Sequence, residues 1–281
     1  MIRHLAIGLL ALASSVAAAQ AQNGASVARG KYLVDTLMTC HNCHTPRGPN
    51  GVNYDKALSG GLRFDEPPFD VTASNITTDK ETGIGAYSVD DIKKLLTTGV
   101  RPNGVAVANV MPTGFYRILT EDDLTAIAAY VHSLPPVKNK VPDPVYKINL
   151  PQTVVPNAEK PATKADLGDP VKRGFYLATI AHCMECHSPL GPKGRDFSKT
   201  GGGGFEFKGP WGVSVSRNIT SSKTKGLGAW TDAEIKRAIT QGISRDGSKL
   251  KPPMGFEFYA KMKAEDLDDI VAYIRTVPAI D

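Results

Sequence analysis

The sequence predicts an all-α chain built from two tandem copies of one small domain. Each copy has three main helices with long loops, and a proline-rich linker joins them. Three observations carry this reading. Displacing the 281-residue sequence against itself by 143 positions aligns 40–136 with 183–279 and gives 33 identities over 97 positions, which marks an internal duplication. Helix-start signals recur at matching places, whereas period-two alternation is almost absent. Eight of the twenty prolines fall between Pro135 and Pro170, in the gap between the copies.

Taken in order, the chain opens with a short basic start, Met1-Ile2-Arg3-His4, and an apolar run from Leu5 to Ala18. Small residues then offer cleavage sites near Ala19 or Ala21. Residues 1–21 read as a secretory signal peptide, because the run falls short of the roughly 18 apolar residues a membrane span needs. The expected setting is the bacterial periplasm. Net charge is +5, and +4 once Arg3 is removed with the leader.

The first domain is expected over 22–136, the linker over 137–168 and the second domain over 169–281. Each domain starts with a short helix, around Tyr32–Met38 and around Tyr176–Ala181, leading into a cysteine pair. A middle helix follows a capping signature, Ser88-Val89-Asp90-Asp91 or Thr231-Asp232-Ala233-Glu234, and stops at Gly99 or Gly242. A last helix starts at Thr120-Glu121-Asp122-Asp123 and ends before Pro135; its counterpart runs from about Glu265 to Thr276. The linker reads as extended and semi-rigid. Three helices give a thin core for a domain of this size, so a cofactor or staple is expected to complete it.

Composition narrows the function. At 41% hydrophobic and 22% charged, the chain is too polar for a multispan membrane protein. The charge is too mild, and too scattered, for a nucleic-acid binder. Four cysteines are too few for a disulfide scaffold of this length.

The four cysteines stand in Cys40-His41-Asn42-Cys43-His44 and Cys183-Met184-Glu185-Cys186-His187. Both read C-x-x-C-H, the attachment site of c-type haem. Two thiols three residues apart on a helical turn reach the two vinyl groups of one porphyrin, and the next histidine falls below the iron. Zinc is disfavoured because 139 residues separate the pairs, where ribbon sites use roughly 15–20. A thioredoxin-like pair or two simple disulfides would leave both histidines unexplained. Two covalently bound haem c groups are therefore expected. The second nitrogen of each proximal histidine should donate to a loop carbonyl, with Pro46, Gly48 and Pro49, or Pro189, Gly191 and Pro192, offering candidates.

Met111 and Met254 each lie 67 residues beyond their histidine and are the methionines at matching positions in the two copies. A thioether there completes low-spin iron and raises its potential. The iron ligands expected are thus His44 with Met111 and His187 with Met254. Met262, which replaces Leu119 of the first copy, is a distant alternative. His41, His182 and His132 read as surface or edge residues, since none has a counterpart. Asn75/Asn218 and Tyr87/Trp230 read either as haem-edge residues or as a turn asparagine and a core aromatic. Tyr130 and Tyr273 are expected to meet Tyr32 and Tyr176 between first and last helices.

These features resemble a family. C-x-x-C-H, Asn-Ile-Thr (75–77 and 218–220), Gly-(Ile/Leu)-Gly-Ala-(Tyr/Trp)-(Ser/Thr) from Gly83 and Gly226, Asn103-Gly104 or Asp246-Gly247, and Met in a proline-containing loop resemble class I cytochrome c domains. The likeness is to the cytochrome subunits of bacterial membrane-bound alcohol, gluconate and related dehydrogenases, and to soluble dihaem cytochromes c. It covers nearly all of 26–279. Those subunits often carry three haems and a C-terminal membrane-associating segment; this chain has two motifs and ends at Asp281. The resemblance implies two class I cytochrome c-like domains moving single electrons from a periplasmic dehydrogenase to an oxidase, a quinone-linked complex or a small cytochrome. At most peripheral membrane association is expected. The alternative is a dihaem redox enzyme, peroxidase-like or thiosulfate-oxidising, with chemistry at one haem; Met111 and Met254 argue against an open iron, and attachment leaves no cysteine as ligand.

Overall fold

A computed structural model describes residues 24–48, 51–149, 152–192, 194–209 and 211–281. The expected leader and its cleavage positions lie outside the described residues. Helix α1 covers 24–32 and widens into a π-helical turn over Leu33–Leu37. It crosses α5 (Glu121–His132) at Gly30, where a Cβ would lie 1.9 Å from the Ala126 carbonyl oxygen. The second copy repeats this: α7 (Pro170–Ile180) crosses α11 (Ala264–Ile274) at Gly174, with a Cβ 1.9 Å from the Asp269 carbonyl oxygen. Only glycine allows either crossing. Both first helices begin earlier than the sequence predicts. In α7 the reason is local, since Asp169 caps the helix and Pro170 occupies its first turn.

The middle helices match expectation. Ser88 and Asp91 form a reciprocal capping box on α3 (Val89–Thr98), as Thr231 and Glu234 do on α9 (Asp232–Gln241). Gly99 and Gly242 close them at φ 69° and 64°. Single turns α2 (His41–His44) and α8 (Cys183–Cys186) carry the cysteines, and α4 (Thr113–Tyr116) and α10 (Phe256–Tyr259) follow the methionine loops.

The all-α expectation holds only in part: among the described residues 37% are helical and 12% lie in strands. Antiparallel pairs β1 (Arg47–Gly48)/β2 (Gly51–Val52) and β3 (Arg63–Glu66)/β4 (Phe69–Thr72) sit in the first copy's loop. The second copy has β6 (Leu190–Gly191)/β7 (Gly194–Arg195) and β8 (Glu206–Gly209)/β9 (Gly212–Val215). Strands of two to four residues are too short to display an alternating pattern. The linker adds β5 (Val145–Tyr146) to β4, so Tyr146 stands opposite Phe69. It then buries Val155 and Ala158, and its short helix α6 (Lys164–Leu167) leads into α7.

One apolar core runs through both copies, from Leu33, Leu37 and Phe115 to Tyr176, Leu177 and Ile270. Polar contacts cross the same seam in matching pairs. The Tyr32 hydroxyl donates to Asp266 at 2.6 Å, and the Tyr176 hydroxyl to Asp123 at 2.6 Å. Each aspartate is buried and also receives the arginine of its own copy's first helix, Arg29 on Asp123 and Arg173 on Asp266. Tyr130 and Tyr273 pack between first and last helices, against Gly30 and Gly174, while the hydroxyls of Tyr32 and Tyr176 reach across to the other copy. Tyr130 donates to Asp35 at 3.1 Å, and Tyr273 packs edge-on against Phe175. Among the described residues no helix is long and apolar enough to cross a membrane.

Candidate functional site

Each cysteine motif is set by a strained residue. Thr39 and His182, immediately before the first cysteine of each pair, have φ 48° and 44°. This left-handed region is costly for a residue with a Cβ. It breaks the long first helix and starts the single turn that carries the pair. The turn closes when the His44 amide donates to the Cys40 carbonyl at 2.8 Å, and the His187 amide to the Cys183 carbonyl at 3.0 Å. Nothing in the residue types at 39 and 182 signals this kink.

Both proximal histidines are oriented alike. His44 Nδ1 lies 2.7 Å from the Ser74 carbonyl oxygen, and His187 Nδ1 lies 2.7 Å from that of Arg217. A carbonyl only accepts, so Nδ1 carries the proton and Nε2 keeps its lone pair for a metal. Burial lowers both histidine pKa values, which favours the neutral ligand form. The acceptors are not those the sequence offered. The Pro46 and Pro189 carbonyls accept from Asn53 and Asp196 inside the local hairpins, so carbonyls thirty residues downstream serve instead.

Asn75 and Asn218 follow these acceptors directly. Asn75 Nδ2 donates to the Val137 carbonyl at 2.8 Å, and Asn218 Nδ2 to that of Ile280 at 2.7 Å. Their side-chain oxygens accept from Thr77 and Thr220. They tie the histidine-orienting loop to the segment after each last helix. The reading of both as structural turn asparagines is therefore the one the geometry supports. Tyr87 and Trp230 line the cavity beside the histidines.

That cavity is one space of about 2590 Å³, well beyond the roughly 300–1,000 Å³ of a single small-ligand pocket. Cys40, Cys43, His44 and Met111 line it, as do Cys183, Cys186, His187 and Met254. Met262 also reaches it. Burial pushes the thiol pKa values up, to about 12 for Cys40, Cys43 and Cys183. Cys186 rises for the same reason, reinforced by the negative charge of Glu185. The two attachment turns are close neighbours, since His182 Nε2, just before the second, lies 3.4 Å from the Met38 carbonyl oxygen, just before the first. Among the described residues no three His, Cys, Asp or Glu side chains converge as a metal cluster.

The residues fit haem c. Each lobe offers two thiols on one turn, a histidine with Nε2 free to coordinate, a methionine and an apolar lining. Leu190, Val213 and Val215 line the cavity yet remain 47–56% exposed, and a large flat apolar group would cover them.

The remaining histidines divide. His132 is exposed and contacts the Tyr87 carbonyl at 3.0 Å. His182 contacts Glu185 at 3.1 Å and the Met38 carbonyl at 3.4 Å. His41 corrects the surface reading. It is buried between Asp35 (3.1 Å) and Thr45 (2.8 Å) and stacks at 6.2 Å on Phe258 of the other copy. Its missing counterpart reflects a contact that only one side of the seam makes.

The chain is similar to known proteins over most of its length. The chain is 30% identical to the cytochrome c subunit of the quinone alcohol dehydrogenase of Gluconobacter oxydans, over 98% of this chain and 59% of that protein. It is 30% identical to the gluconate 2-dehydrogenase cytochrome c subunit of Pantoea cypripedii, over 85% of this chain and 56% of that protein. It is 28% identical to a diheme cytochrome c-type protein of Cereibacter sphaeroides, over 86% of this chain and 83% of that protein. The chain thus spans rather more than half the length of the dehydrogenase subunits it matches. The family model for cytochrome c matches twice, over residues 27–135 and 171–278. Two C-x-x-C-H turns, two carbonyl-oriented histidines and this double match lead to one conclusion: the chain belongs to the cytochrome c family, a family of electron-transfer proteins with covalently bound haem c.

Proposed function

We propose that this chain is a periplasmic dihaem electron-transfer protein, accepting single electrons from a dehydrogenase and passing them to an oxidase, a quinone-linked complex or a small cytochrome. The carrying observation is the single cavity that both C-x-x-C-H turns and both methionines line. Cys40 and Cys43 would hold one haem as thioethers, with His44 and Met111 as the residues that would ligate its iron. Cys183, Cys186, His187 and Met254 would do the same for the second. Haem supplies one-electron chemistry at its iron, and the axial ligands set its potential.

The protein's part is to hold and to insulate. The Ser74 and Arg217 carbonyls fix the histidine rings, so the same ligand geometry serves both oxidation states. Pro112 and Pro253, beside the two methionines, stiffen the ligand loops. The core shared across the seam holds the attachment turns next to each other, which favours transfer within the chain before electrons leave it. The names of the relatives support a dehydrogenase as donor.

The test is the purified, exported protein. A pyridine haemochrome assay should count two covalent haems per chain. The ferric protein should show two low-spin centres, each with the near-infrared band of methionine–iron ligation. A high-spin centre that binds cyanide or turns over peroxide quickly would replace this reading with that of a dihaem enzyme.

A further inference from the structure

Asn42 occupies one of the two spacer positions in the first motif, where the haem chemistry itself asks nothing of the side chain. It nevertheless reaches the other copy. Its Nδ2 donates to the Pro253 carbonyl at 3.2 Å, and Pro253 directly precedes Met254. The amide is turned this way for a reason. Arg47 Nη2 donates to Asn42 Oδ1 at 2.6 Å, and an arginine only donates, so the amide oxygen faces Arg47 and the NH2 group faces Pro253. Two further contacts bring the same surfaces together. His41 stacks at 6.2 Å on Phe258, in the turn that follows Met254. A Cβ built on Gly255 would lie 3.4 Å from the Thr39 methyl. The first copy's attachment turn is therefore laid against the second copy's methionine loop on both sides of Met254.

The link runs in one direction. Glu185 holds the place of Asn42 in the second motif, and an ionised carboxylate has no proton to donate to a backbone carbonyl. Among the described residues Glu185 pairs instead with His182 of its own copy. Among the described residues the methionine loop of the first copy has no matching hydrogen bond from Glu185.

We infer that Asn42, oriented by Arg47, is a positioning residue for Met254, so that the attachment motif of the first haem holds the axial ligand of the second. This rests on the ligand assignment above and adds to it a reason for unequal haems. Methionine ligation raises potential and excludes external ligands. Loosening the Met254 loop should therefore lower the second haem's potential and admit added ligands there, with little effect on the first.

The experiment uses the full haem-loaded chain with Asn42→Leu, which keeps the side chain's size and removes its donor without adding charge, and with Arg47→Ala, which frees the amide to turn. Met254→Ala and Met111→Ala assign each potential and near-infrared band to its haem. A hydrogen bond of this kind contributes about 1 kcal/mol, roughly fivefold in the equilibrium for releasing Met254. Asn42→Leu should raise imidazole binding at the second haem about fivefold, lower that haem's potential and speed amide exchange over 250–256. Arg47→Ala should do the same more weakly. If Asn42→Leu changes only the first haem, or leaves imidazole binding and exchange at the native values, Asn42 is a spacer and the inference falls. If Met254→Ala leaves the second haem's spectrum unchanged, the ligand assignment falls instead.

Discussion

At the scale of single residues, the site depends on what each polar atom is already committed to. His44 and His187 are ready to coordinate because backbone carbonyls hold their other nitrogen. Met111→Ala should lower the first haem's potential and open its iron to carbon monoxide, leaving the second nearly intact. An unchanged spectrum and potential would show that another group is the ligand. Asp35 offers a test by pH. Burial alone would raise its pKa, but hydrogen bonds from His41 and Lys31 outweigh burial and hold it below the usual carboxylate range. A carboxylate with a depressed folded pKa stabilises the fold above its unfolded value of about 3.9, and that contribution is lost as pH falls through the lower folded value. Melting curves from pH 7 to pH 3 should therefore show a steeper acid loss for the native chain than for Asp35→Asn. The C-x-x-C-H motifs were legible because thioether attachment dictates the spacing. The histidine-orienting carbonyls were not, because every residue has a carbonyl and only the fold selects one.

At the scale of elements, each domain is a crossing of its first and last helices around a glycine. Gly30→Ala and Gly174→Ala should each destabilise the haem-loaded protein by about 3 kcal/mol, since the added methyl meets a backbone oxygen that cannot swing aside. Gly24→Ala, in open space on the same first helix, should change the melting temperature little. Equal melting of all three variants would mean that the crossings tolerate a shift. The ends of the middle helices were legible because capping boxes and closing glycines are local devices. The hairpins were missed because strands of two to four residues are too short to display an alternating pattern. The strand Val145–Tyr146 is the extreme case, since its partner lies more than seventy residues earlier.

At the scale of the whole molecule, the duplicated domains face each other across a near-symmetric seam. Tyr32 and Tyr176 each donate to a buried aspartate of the opposite copy, and each aspartate is held by its own copy's arginine. Hydrogen bonds to buried charged groups are worth about 1.5–3 kcal/mol apiece. The double variant Tyr32→Phe, Tyr176→Phe should broaden the distribution of iron–iron distances measured by pulsed EPR and slow transfer between haems, while each haem's absorption stays native. A distribution as narrow as that of the native chain would assign the docking to the apolar core alone.

The sequence by itself determined the duplication and the two C-x-x-C-H motifs, and it singled out Met111 and Met254 as the methionines at matching positions. These are set by covalent geometry and by comparison of one half with the other, and neither requires a folded chain. The tertiary structure alone decided which carbonyls orient the histidines, that His41 is buried, that the first-helix tyrosines cross the seam and that Asn42 reaches toward Met254. Each of those depends on two segments far apart in the chain meeting within hydrogen-bond distance, and residue types along the chain do not encode such a meeting until the two halves have packed.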